Sequence, residues 1–173
     1  MMNSSSNAEE VAARLRARAE RALNTAPPLI AAGDVVRTAA VLRFTNNDWA
    51  ANSPFTIAQK GSSRPGIDTG ALRNSIVSNL DGDNAVVIGP GGPAARYASW
   101  FQNGSGVFAG HSAWVVEAKN GGALRFKAPG GGFFFARKVT IQGSPARRFM
   151  LLEDQQRVQI LALFNRWISE GTI

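Results

Sequence analysis

The chain of 173 residues and 18.4 kDa suits one domain, long enough to bury roughly 70% of its extended-chain surface in one ordinary core. It has no cysteine and a single histidine, His111, which excludes disulfide scaffolds, iron–sulfur clusters, thiolate zinc sites and histidine-rich metal centres, and routes any Ser/His chemistry through one residue. Lys and Arg number 19 against 12 acids, net +7, and the stretch Ala118 to Leu152 alone carries seven bases and no acid, so the excess is local and seeks an anion, either nucleic acid or an acidic partner surface.

Met1 to Asn7 is polar and expected to lack fixed structure, with Ser6 or Asn7 capping a helix from about Ala8. Glu9 and Glu10 would occupy its first turn, and Val11, Leu15, Ala19 and Leu23 recur at helical spacing in a thin stripe flanked by Arg14, Arg16, Arg18 and Arg21. That pattern reads as a solvated helix face or as one lying on something acidic. Pro27 and Pro28 end this helix and open the next, which runs to Thr45 with Leu29, Ile30, Val36, Ala40 and Phe44 inward and Arg37 and Arg43 outward. Residues 8–45 are thus N-terminal helices. Residues 46–69 show no sustained period and are expected to form a long loop pinned by Trp49 and Phe55.

From Gly70 the pattern turns to strands. Ser75–Leu80 and Ala85–Gly89 form a hairpin through Asp81-Gly82-Asp83-Asn84. A short helix over 94–102 carries Tyr97, Trp100 and Phe101, and a glycine-rich loop follows to Ser112. Strands are expected at Ala113–Ala118 and Ala123–Ala128, joined by Asn120-Gly121-Gly122, and a further strand at Phe133–Ile141. Alternation in Leu124-Arg125-Phe126-Lys127-Ala128 puts Arg125 and Lys127 on one face and Leu124, Phe126 and Ala128 on the other. Residues 70–141 therefore read as a β-rich core, and 149–169 as a C-terminal helix with Leu152, Val158, Leu161, Leu163, Phe164, Trp167 and Ile168 inward and Gly171 as its stop. The expected class is α+β: N-terminal helices, an antiparallel meander with a long hairpin, and a C-terminal helix packed on the sheet, all in one domain.

No constellation carries chemistry. Gly130-Gly131-Gly132 lacks the following Lys-Ser or Lys-Thr and joins strand to strand, so it reads as a hairpin tip rather than a phosphate loop. His111 has Ser112 beside it but no local orienting acid. Asp81 and Asp83 are turn residues, and with Asp68 they lack the bidentate glutamate of a calcium loop. No catalytic, metal or cofactor-binding residue is assigned. Interface or DNA-facing candidates are Arg125, Lys127, Arg137, Lys138, Phe133, Phe134 and Phe135. The three phenylalanines must present rings on both faces of a strand, which suits a core plus a subunit contact, and also the base-stacking of single-strand binders. No apolar stretch approaches the ~20 residues of a membrane span, and Met1 to Asn7 lacks the blocks of a secretion signal.

Four segments in order carry a family resemblance: Asp68-Thr69-Gly70-Ala71-Leu72-Arg73-Asn74-Ser75-Ile76, then Ala85-Val86-Val87-Ile88-Gly89, then Tyr97-Ala98-Ser99-Trp100-Phe101, then Ser144-Pro145-Ala146-Arg147-Arg148-Phe149-Met150. In this the chain resembles the tail-completion and head-tail joining proteins of long-tailed phages, in particular the Mu-type virion morphogenesis family, over about Phe44 to Ile168. It departs from that pattern at Asn103-Gly104, where the family usually has Phe-Gly, and at Arg148, where a second proline is common. The resemblance implies a non-enzymatic virion protein assembled in the host bacterial cytoplasm. It would form a ring, expected to be a hexamer, joining the tail tube and its terminator to the head connector, with double-stranded DNA passing through the lumen. It also implies structural roles for Gly70, Leu72, Ile76, Tyr97, Trp100, Pro145, Arg147 and Phe149, with Gly70 turning the backbone so that Leu72 and Ile76 alternate into the core and Phe149 stapling the last helix. A tail-terminator ring, or a basic protein lining the DNA passage, are the alternatives.

Overall fold

The computed structural model describes residues 4–173, with side chains from Asn7 onward; the expectation of disorder at Met1–Asn3 lies outside them, and Ser6, expected as a cap, lies within the first helix. Six helices and six strands follow in an α+β arrangement: α1 (Ser4–Leu23), α2 (Ala26–Asn46), α3 (Pro54–Lys60), α4 (Ala71–Asn74), β1 (Ile76–Asp81), β2 (Ala85–Pro90), α5 (Ala95–Asn103), β3 (Trp114–Glu117), β4 (Leu124–Lys127), β5 (Phe133–Ala136), β6 (Lys138–Ile141) and α6 (Asp154–Glu170). No helix of the described residues is long and apolar enough to cross a membrane. Packing divides the chain into two compact units, one of residues 1–39, 77–88 and 152–173, the other of residues 40–76 and 89–151.

In the first unit α1 packs against α6. The Trp167 indole N–H donates to the carbonyls of Arg21 and Asn24 at 3.0 and 2.9 Å, satisfying acceptors that the end of α1 leaves open. Gly171 ends α6 in a left-handed cap, and Glu153 as its N-cap opens it with a capping box closed by Gln156. The helix α1 starts at Ser4 rather than Ala8, because extending an existing helix by a few residues costs little. Asn7 is therefore inside the helix. The thin stripe of α1 lies largely in solvent, with Val11, Leu15 and Leu23 exposed, while on α6 Val158 and Leu161, expected inward, are exposed as well. The hairpin β1–β2 forms as expected through the turn at 81–84. Thr25 donates to the Asp83 carbonyl at 2.8 Å, and Gly33 of α2 lets the hairpin approach closely: a Cβ there would lie 2.8 Å from Val86 and collide with the Ser78 hydroxyl.

The second unit is built on aromatics. Phe44, wholly buried, meets Trp49, Phe101 and Phe149 with ring centroids 5.2, 5.6 and 5.2 Å away. The expected long loop at 46–69 holds a helix, α3, capped by Ser53, whose side chain accepts from the Thr56 N–H, begun by Pro54 and stopped by Gly61. The first strand, expected from Ser75, begins at Ile76, and a helical turn precedes it. Gly70 (φ 74°) leads into α4, which carries Leu72, and Ile76 opens β1; both are buried.

The meander is also corrected. β3 and β4 do not pair with each other: β3 pairs with β6, with Trp114 opposite Ile141 and Glu117 opposite Lys138. β4 pairs with β5, with Arg125 opposite Phe135 and Lys127 opposite Phe133. The single strand expected at 133–141 breaks at Arg137, whose carbonyl accepts from the Ala118 N–H at 2.9 Å. The two pairs thus follow one another along an antiparallel ribbon, and Lys119–Ala123 bulges out of one arm opposite that break.

Candidate interaction surfaces

Three of the four motif segments lie in the second unit, and they meet there. The extended segment 142–150 runs beside the end of α5 and the loop after it. Val107 donates to Gln142, Ser105 to Ser144 and Arg147 to Phe101, at 2.8 to 2.9 Å. Gln102 latches the end of the segment, its Oε1 accepting from the N–H groups of Phe149 and Met150, both at 2.9 Å, and its Nε2 donating to the Met150 carbonyl at 3.1 Å. Gly104 (φ 82°) is the contact point, since a Cβ there would sit 3.0 Å from backbone atoms of Ser144 and Ala146. The departure Asn103-Gly104 keeps the glycine that this path requires. Phe149 is 1% exposed among the aromatics, so it anchors this core instead of stapling α6. Pro145 lies exposed in the extended segment.

Arg147 is only 9% exposed. Its guanidinium carbon lies 5.8 Å from the Phe101 ring centre, its buried Nε has no hydrogen-bond partner, and desolvation lowers its pKa. Tyr97 and Trp100, by contrast, are exposed on α5. Trp100 lines an open groove of about 1400 Å³ with Trp114, Phe55, Phe134, Ile141 and His111; His111 itself is exposed. Among the described residues no group of three His, Cys, Asp or Glu could hold a metal ion.

The basic candidates separate. Arg125 and Lys127 share the exposed face of β4 with Phe133 and Phe135, their cross-strand partners; the Arg125 guanidinium carbon lies 3.6 Å from the Phe133 ring centre. Phe134 turns the other way, stacked on Phe126 at 5.2 Å and touching Phe55 at 6.1 Å. Leu124, Phe126 and Ala128 are half-buried, as the alternation requires. Lys138 is paired with Glu117 at 3.3 Å, and Arg137 occupies the break between β5 and β6. Of the four cationic candidates, two, Arg125 and Lys127, share that exposed face with the rings. Protein-family models, curated proteins and solved structures give no match to this chain.

Charge divides more sharply than linear sequence suggests. The first unit carries seven basic and nine acidic side chains, net −2, and the second twelve and three, net +9. Linear counting had confined the excess to residues 118–152; packing adds Arg43, Lys60, Arg64, Arg73 and Arg96 to the same unit.

Proposed function

We propose that the protein is a non-enzymatic assembly subunit of a long-tailed phage neck, a tail-completion part that forms a ring between tail tube and head connector. The observation that carries this reading is the distribution of apolar side chains. Among the described residues eight hydrophobics are buried, while twenty-three large ones are exposed, far more than scattered surface residues require. All four residues of β3 are exposed, including Trp114, Val115 and Val116, so both faces of this part of the ribbon present apolar side chains to solvent. A neighbour in a closed ring would cover them and pair the open strand edges. The convergence of three motif segments on the Phe44, Phe101 and Phe149 core supports the same reading, because none of those residues is reactive. Virion location, assembly in the host cytoplasm and a hexameric count belong to the proposal.

Native mass spectrometry and electron microscopy of the purified chain, alone and with tail-tube and connector proteins, test it. Rings, and phage lacking the protein accumulating filled heads beside unjoined tails, are the expected results. Monomers under every condition, or infectious particles formed without it, overturn it. A second reading, a lining of the DNA passage, is favoured by the net +9 of the second unit and predicts binding that falls steeply with salt.

A further inference from the structure

We propose that the solvent face of β4–β5 is a binding site for single-stranded nucleic acid, with Phe135 as a base-stacking platform and Arg125 and Lys127 as its phosphate contacts. This stands on charge and ring placement and does not require the ring assembly. Phe133 and Phe135 are 50% and 66% exposed on a ribbon whose opposite face already supplies the packing, through Phe126, Phe134 and Phe55. Phe135 makes no ring contact among the described residues and stands mostly in water, and bases supply flat apolar partners without sequence demand. The Arg125 guanidinium covers Phe133, which orients the cation and leaves its edge donors free for a phosphate, while Phe135 keeps an open ring face. Arg125 and Lys127 are two residues apart along a strand, about 6.6 Å, a step comparable to that between successive phosphates of an extended single strand.

The same geometry argues against other polyanions. In a duplex every internal base already stacks on both sides, so an exposed ring finds only sugar edges. A membrane surface would favour apolar residues at the ribbon tip, but the tip is Pro129-Gly130-Gly131-Gly132, which offers nothing to insert, and the cations alternate with the rings instead of flanking an apolar cluster. The unit's net +9 supplies the long-range attraction.

The test is fluorescence anisotropy of the full chain with a labelled oligothymidylate of about 15 nucleotides, a labelled duplex of the same length and anionic phosphatidylserine vesicles, across a salt series. The single strand binds most tightly; Phe135→Ala weakens it about tenfold or more at unchanged salt slope, Phe135→Trp retains it, and Arg125→Gln and Lys127→Gln each reduce the slope by about 0.7. Absence of oligonucleotide binding, equal binding of duplex with no effect of Phe135→Ala, or preference for vesicles overturns the proposal. Native mass spectra of the same samples separate the remaining case: a Phe135→Ala variant that changes assembly state but not affinity makes this face a contact between copies, and the nucleic-acid site is then rejected while the assembly reading survives.

Discussion

At the scale of single residues, Arg147 is the clearest cost. A guanidinium 9% exposed, with an unpartnered Nε and no carboxylate beside it, has lost hydration for little more than a ring contact. Its lowered pKa states the same thing. Because the folded state binds the proton less tightly than the unfolded state, stability rises with pH only in the strongly alkaline window between that lowered pKa and the ordinary arginine value, and the penalty is constant through the neutral range. Arg147→Met, which keeps the contact with Phe101 and removes the charge, is therefore expected to leave stability unchanged or to raise Tm by about 2 to 4 °C. The gain should be flat from about pH 5 to pH 9, where no titration of Arg147 intervenes; calorimetry of both proteins checks it, and a fall of several degrees would mean that the charge is satisfied. The sequence pointed to this residue through its Pro-Ala-Arg setting, but burial of an arginine leaves no local mark. Gly70, Leu72 and Ile76 were legible as turn and core. That Leu72 sits in a helical turn and Ile76 opens the strand after it was not, because two apolar residues four apart fit a short strand almost as well as one turn of helix.

At the scale of elements, the long segments were legible and the short ones were not. α2 and α6 carry their own start and stop chemistry, prolines in one and a glycine stop in the other. α3 had signals too, Ser53-Pro54 and Gly61, but its seven residues are too few for a period to emerge among the surrounding Asn, Ser and Gly. The join of β3 to β4 was misread because Asn120-Gly121-Gly122 is a strong hairpin signal, whereas the chain uses it as a bulge; the hairpin tip expected at Gly130–Gly132 is where β4 turns into β5. What decided pairing was tertiary: β4 gains Phe55 against Phe126, and only β5 can set Phe134 beside both rings. The last helix, expected from residue 149, begins at Asp154, and nothing in the sequence marked the partner of the segment 142–150. That segment is held to α5 mainly by Gln102, which no periodic pattern marks. Gln102→Leu removes the acceptor of two backbone N–H groups and the donor to one carbonyl, and is expected to cost about 1 to 3 kcal/mol. Amide exchange at Phe149 and Met150 should accelerate while β4–β5 amides keep their protection; equal acceleration everywhere would make Gln102 a global rather than local support.

At the scale of the whole molecule, charge and apolar exposure act on assembly with opposite signs. Each copy brings net +7, concentrated as +9 in one unit, so copies that associate through Trp114, Val115 and Val116 must overcome mutual repulsion before burial of those side chains stabilises the contact. Screening weakens that repulsion: the Debye length falls from about 30 Å at 0.01 M ionic strength to about 8 Å at 0.15 M. The ring proposed here should therefore form at lower protein concentration as salt rises, while oligonucleotide binding to the β4–β5 face weakens over the same range through counterion release. Mass photometry and anisotropy on one sample series read both trends. Opposite slopes are expected if the contact between copies is apolar and the basic face is turned to an anion. Assembly that weakens with salt in parallel with nucleic-acid binding would instead place Arg125 and Lys127 in the contact between copies, opposite acidic side chains such as Asp81 and Asp83 at the β1–β2 turn of a neighbour.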